Sequence, residues 1–193
     1  MPMLRVVIIV QILFFSGFAC AQEKVEIERR ISPKVVPDSA KRFVCKMFPK
    51  ARVRWILEKS GTDEKFEAKV KLGRERMSVE FSRDGEFEDV ESTIHFDKLA
   101  RAISENIRSQ LDHDFDRYRI VKVQHHYSGD KEQINRFFHD GEADFSAVLQ
   151  FYEILVYGII ENRIGSYVYD FSTEGKLVSR VKNADQNTDN LVF

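Results

Sequence analysis

The chain has 193 residues, 43% of them hydrophobic and 32% charged, with 30 Lys and Arg against 31 Asp and Glu. That is apolar enough to bury a core in one domain or two small ones, and it excludes a disordered polyelectrolyte. Charge this balanced also argues against a nucleic-acid partner, which normally selects a basic excess on one face.

Arg5 precedes an apolar run from Val6 to Phe15, broken only by Gln11, and Ser16-Gly17-Phe18-Ala19-Cys20-Ala21 follows. A basic start, a short apolar stretch and small residues at Ala19 and Ala21 predict a secretion signal over 1–21, cleaved after Ala21. The expected location is the periplasm or the exterior. The run is too short to span a bilayer, so no transmembrane segment is expected in the mature chain. A lipoprotein anchored at Cys20 is the alternative, disfavoured by Gly17 where such sites usually carry Leu. Without its signal the chain keeps 29 of the 30 basic residues, all 31 acidic ones, and Cys45 alone, which precludes an internal disulfide.

Residues 22–38 read as a charged arm closed by Pro33 and Pro37. Asp38 and Ser39 can cap a helix whose apolar positions are Ala40, Phe43, Val44, Met47 and Phe48, ended by Pro49. Cys45 is placed on that apolar stripe as a small buried hydrophobe. Alternation then predicts strands through Val53, Trp55 and Leu57, through Phe66, Ala68 and Val70, and through Met77, Val79 and Phe81, with Val90 and Ile94 in a short fourth.

This order returns. A stripe at Phe96, Leu99, Ile103, Ile107 and Leu111 predicts a helix, followed by strands at 118–127, 151–160, 166–171 and 177–181. The plainest sign of repetition is Val79–Phe87, which recurs at Tyr169–Leu177: an alternating strand, an acidic-Gly turn, and a restart on an apolar residue. The organisation expected is therefore an arm (22–38), a first unit (39–94), a second unit (95–182) with an insert at 128–150, and a polar tail (183–193). Ile134, Phe137, Phe138 and Val148 predict a local helix within the insert. The fold class expected is α+β, each unit a helix packed on an antiparallel sheet of three to four strands.

Phe48-Pro49-Lys50-Ala51-Arg52-Val53-Arg54-Trp55, followed by a Phe-x-Ala strand and an acidic-Gly hairpin, resembles the PepSY-like family of exported bacterial proteins, also described as β-lactamase-inhibitor-like. The resemblance spans roughly residues 39 to 181 and is looser in the second unit. It implies tandem helix-on-sheet units in the cell envelope. It implies no catalytic residue and no cofactor.

The residues themselves offer little chemistry. His125 and His126 are neighbours on a strand and point to opposite faces, and no Cys/His spacing suits zinc, so no metal site is expected. Asp112-His113-Asp114-Phe115-Asp116 alternates carboxylates as calcium loops do, but Arg117 and Val123 occupy the positions of the required Gly and Glu. His139-Asp140-Gly141-Glu142-Ala143-Asp144 has no closing ligand either. There is no nucleophile elbow, phosphate loop or dinucleotide fingerprint, and no enzyme is expected.

The informative contrast is between the two faces turned away from the expected core. In the first unit that face holds Arg52, Arg54, Glu58, Glu67, Lys69, Lys71, Arg76 and Glu80, an ordinary solvated surface. In the second it holds Ile120, Lys122, Phe151, Glu153, Leu155, Tyr157 and Val168. An apolar and aromatic patch marks a partner site or is covered by the chain itself, through the insert or the arm near Val25 and Ile27. The candidate partner-binding residues are Ile120, Phe151, Leu155, Tyr157 and Val168. The function expected is a non-enzymatic module that recognises or inhibits another envelope or secreted protein. The alternative is a carrier or sensor of a small apolar ligand held between sheet and insert.

Overall fold

In a computed structural model, residues 26–139 and 147–183 are described. The segment expected to be a secretion signal, Cys20, the acidic stretch from Asp140 to Asp144 and the tail beyond 183 lie outside the described residues.

The described residues form one antiparallel sheet of nine strands in simple sequence order. In order of occurrence the elements are β1 (Glu26–Arg30), α1 (Asp38–Met47), β2 (Arg52–Ser60), β3 (Asp63–Leu72), β4 (Glu75–Ser82) and β5 (Phe87–Ile94). The second half follows with α2 (Arg101–Asp114), β6 (Arg117–Gly129), α3 (Lys131–His139), β7 (Val148–Ile160), β8 (Arg163–Ser172) and β9 (Leu177–Asn183). The fold is thus mostly β, and the two helix-on-sheet units expected from the sequence, of three to four strands each, share one continuous sheet. β5 pairs with β6 from Asp89–Ser128 to Ile94–Val123, making the sheet continuous, and the charged arm contributes β1, paired along β2.

Strand alternation sends one set of side chains to each side, and the helices all pack on the same side. Trp55, Phe66, Ala68, Val79, Phe81 and Val90 meet Ala40, Val44 and Met47 of α1 in one core. Ile154, Val156, Tyr169 and Phe171 meet Ile107 and Leu111 of α2 in another. The described part of the insert does not stay with its own half. Buried Ile134 of α3 joins the first core, with Phe137 and Phe138 packed on it, and Tyr127 lies 5.2 Å from each of those two rings.

The repeated hairpin has the same construction twice. Ser82 N–H donates to Glu86 and Gly85 N–H to Ser82; Ser172 N–H donates to Lys176 and Gly175 N–H to Ser172. Each strand pair shifts register one residue earlier, at Glu80/Phe81 and at Asp170/Phe171. Gly85 and Gly175 sit at φ 81° and 78°, in left-handed backbone that favours glycine. Each turn is also pinned to the helix of its half. Ser39 Oγ donates to the Gly85 carbonyl at 3.1 Å, and Asn106 Nδ2 to the Glu174 carbonyl at 2.8 Å. Ser39 is thus used for the turn, while Pro37 stands at the N-cap of α1 and Asp38 pairs with Lys41 at 2.7 Å.

Cys45 is exposed, not buried as its place on the stripe predicts. The buried positions of α1 are Ala40, Val44 and Met47, spaced four and three apart, and Cys45 falls just past that seam. The carboxylates of 112–116 serve the frame. Asp114 accepts from Tyr169 Oη at 3.0 Å and Arg180 Nη1 at 3.1 Å, tying the end of α2 to β8 and β9. Burial works to raise its pKa, but hydrogen bonds from His113, Gln110 and Tyr169 and the Arg180 charge hold it below the usual carboxylate range.

Candidate functional site

With the helices on one side, the other face of the sheet is free of them, and cross-strand register sets its chemistry row by row. One row crosses Arg52, Lys71 and Arg76; another runs Arg54, Lys69, Ser78, Glu91, His126 and Phe151. A third runs Arg30, Ile56, Glu67, Glu80, Asp89 and Ser128.

The middle of this face is a trough of about 410 Å³ whose walls include Glu67, Glu80, Asp89, Glu91, Gln124, His126 and Glu153. It is not the solvated surface that alternation alone predicts: Glu67 and His126 are each only 5% exposed. Two lysines neutralise part of it. Lys65 reaches Glu88 at 2.6 Å and Glu80 at 3.3 Å, and Lys69 reaches Glu28 at 2.9 Å and Glu67 at 3.4 Å. Burial opposes the Lys65 charge, but those two carboxylates hold its pKa above the ordinary lysine range.

Asp89, Glu91 and His126 converge at the trough floor, one ligand-type atom from each lying within 4.8 Å of the others. His126 Nδ1 is 3.4 Å from Asp89 Oδ2, and Nε2 is 3.6 Å from Glu91 Oε1. Gln124 Nε2 donates to the second Glu91 oxygen, and Phe151 stacks on the imidazole at 4.4 Å. Burial, with Glu80 and Asp89 beside it, pushes the Glu91 carboxyl up to about 9. His125, the chain neighbour, lies on the helix side against Tyr127 and Tyr152. Opposite faces for the two histidines are legible from the strand; the meeting of His126 with Asp89 and Glu91 is not. It arises from pairing of β5 with β6 across 35 residues that include all of α2, which no local pattern marks.

Beside the trough, a groove of about 600 Å³ is lined by Arg30, Arg52, Arg54, Lys71, Arg76 and Lys122, among others. Lys122 pairs with Leu155, Leu155 with Val168 and Tyr157 with Ser166, so the cationic groove runs directly into an apolar strip. Phe151, Leu155, Tyr157 and Val168 are all on this helix-free face and half-buried.

Ile120 is not among them. The β6 register shifts between Ile120 and Lys122, so Ile120 pairs with core residue Val156 and packs on the second core, while Lys122 pairs with Leu155 on the open face. Strict alternation puts Ile120 and Lys122 on one face; the extra residue, Val121, separates them.

The described residues of the insert and of the arm do not lie over the strip. Described α3 packs on the helix side, and β1 pairs at the far edge with β2. On the helix side, a smaller groove of about 280 Å³ between α1, α3 and the β4–β5 turn has Phe43, Phe81 and Phe87 among its walls, with Arg42, Lys46, Lys131 and Glu132. Among the described residues no helix is long and apolar enough to cross a membrane.

No family model matches the chain, and no curated protein matches it. Solved structures do. A candidate periplasmic protein from Bacteroides eggerthii is 18% identical with a TM-score of 0.54, over 79% of this chain and 94% of that one. A DUF2874 family protein from Bacteroides uniformis is 12% identical with a TM-score of 0.53, over 80% and 95%. A BLIP-like protein from Bacteroides fragilis is 13% identical with a TM-score of 0.50, over 79% and 91%. At such identities the likeness speaks for the fold, and it supports the inhibitor-like side of the resemblance but not PepSY in particular. The fold of this chain is BLIP-like.

Proposed function

We propose that the chain is an exported, non-enzymatic binding module that recognises another envelope or secreted protein through the helix-free face of its sheet. The observation carrying this reading is the strip of Leu155, Tyr157 and Val168, with Phe151 beyond Glu153 on the same strand, which adjoins the cationic groove through Lys122. An aromatic and aliphatic centre with a charged flank is the usual anatomy of a recognition surface. Burial of the strip supplies the favourable term, roughly 25 cal/mol per Å² before association costs. The groove selects a partner with acidic side chains beside an apolar centre, and acts chiefly on the rate of encounter. The likeness to a candidate periplasmic protein and to a BLIP-like protein fits export and protein binding. Inhibition of a secreted hydrolase is the narrower form of the same reading.

The test is capture from an envelope extract of the source organism, with Tyr157→Asp alongside and circular dichroism on both. One protein retained by the parent, lost by the variant and rebound in purified form is the expected result. Equal capture by a folded variant would remove the site from this face. Thermal stabilisation by an apolar metabolite mixture, without any captured protein, would favour the ligand-carrier alternative.

A further inference from the structure

We propose that Asp89, Glu91 and His126 form a binding site for a divalent transition-metal ion of the zinc class. The site lies in the trough, is built by β5 and β6, and adjoins the partner strip through Phe151, which stacks on His126.

Three features point to a ligand. The His126 side chain is only 6% exposed, and its Nε2 has no hydrogen-bond partner, since the nearest Glu91 oxygen is 3.6 Å away. A separation that long is no hydrogen bond. Asp89 Oδ1 is likewise buried without a hydrogen-bond partner. A buried imidazole nitrogen and a buried carboxylate oxygen, both without a hydrogen-bond partner, carry a desolvation cost that no hydrogen bond offsets.

The second feature is spacing. Two donors on a tetrahedral ion at about 2.0–2.2 Å stand roughly 3.4 Å apart. One ligand atom from each of Asp89, Glu91 and His126 lies within 4.8 Å of the other two, so a single ring nitrogen and one oxygen of each carboxylate can close on an ion through side-chain adjustment. The third is support around the donors. Gln124 holds the Glu91 oxygen that faces away from His126, and Phe151 stacks on the imidazole and fixes its plane. Such outer contacts orient metal ligands and are worth a factor of about 10–100 in affinity.

The donor set also selects the ion. One imidazole and two carboxylates suit zinc and its neighbours, whereas calcium and magnesium take all-oxygen shells with more ligands. Two carboxylates and a neutral imidazole balance a doubly charged ion. A three-ligand site on the floor of an open trough leaves a fourth position facing solvent, as sites that exchange a water do.

The test strips the full protein with a chelator, adds Co²⁺ and reads visible d–d absorption, with calorimetric titration of Zn²⁺ in parallel. One saturable ion per chain is expected, with intense absorption of a low-coordinate centre. His126→Gln should abolish the band, and Glu91→Gln, nearly isosteric, should weaken zinc at least tenfold. His113→Gln, at an exposed histidine at the end of α2, should change neither. Absence of saturable binding in the parent overturns the proposal, and so does binding that survives both His126→Gln and Glu91→Gln. Should His126→Gln fail to fold, Glu91→Gln and the parent decide the matter.

Discussion

In the first half of the sheet the helix-free face carries Glu67, Glu80, Asp89 and Glu91, partly neutralised by Lys65 and Lys69. In the second half the same face carries Leu155, Tyr157 and Val168. Beneath this difference the frames agree closely. Each half packs a helix on four strands, shifts register just before a buried phenylalanine, Phe81 or Phe171, and docks an acidic-Gly turn on that helix. The lesson is that the two faces of one strand answer to separate demands. The helix side is held by packing and tolerates little change. The open side is free to become a charged trough in one half and an apolar strip in the other.

That comparison can be broken most forcefully at the cores. Phe81 and Phe171 occupy matching positions and are 1% and 0% exposed. Phe81→Ala and Phe171→Ala should each destabilise by about 3–5 kcal/mol in denaturant unfolding. Because β5 and β6 join the halves, both variants should unfold in one transition. Two separate transitions would mean that the halves fold independently despite the shared sheet.

The turns come next. A Cβ on Gly85 would lie 2.5 Å from Pro37 Cβ, and one on Gly175 2.7 Å from the Ile103 carbonyl oxygen. Left-handed backbone adds about 1–2 kcal/mol to each clash. Gly85→Ala and Gly175→Ala should therefore each cost at least about 2 kcal/mol. A much smaller loss at one of them would show that its turn is not gripped by the helix as the other is.

The smallest effect is a pH dependence confined to the junction. Burial, with the His126 ring beside it, pulls His125 down to about 4 from an ordinary value of 6.5. The unfolded chain thus binds a proton between those values that the folded chain refuses. The contribution of the neutral ring is complete above pH 6.5 and is lost as pH falls from there through about 4. His125→Leu should flatten that part of the stability curve measured by urea unfolding, and an unchanged slope would place the proton uptake elsewhere.

Local pattern was enough for much of the frame. The helices at Asp38–Met47 and Arg101–Asp114 follow from apolar residues at helical spacing, and the strands from alternation. The repeated Phe-Ser-x-x-Gly text implied matching turns, and Ile134, Phe137 and Phe138 implied a helix in the insert. Of the apolar strip, Phe151, Leu155, Tyr157 and Val168 were legible because β7 and β8 alternate without interruption through them. Ile120 was misplaced because one bulged residue inverts every side chain beyond it, and a bulge leaves no mark in an alternating run.

What the sequence by itself determined is the periodicity of each element and the two-fold recurrence of its hairpin, because these depend on residues within a few positions of one another. Only the tertiary structure decided that the strands join in one sheet, that α3 seals the first core rather than covering the strip, and that His126 meets Asp89 and Glu91. Those outcomes depend on register between strands separated by whole helices, and long-range register is chosen by how all the apolar faces can be buried at once.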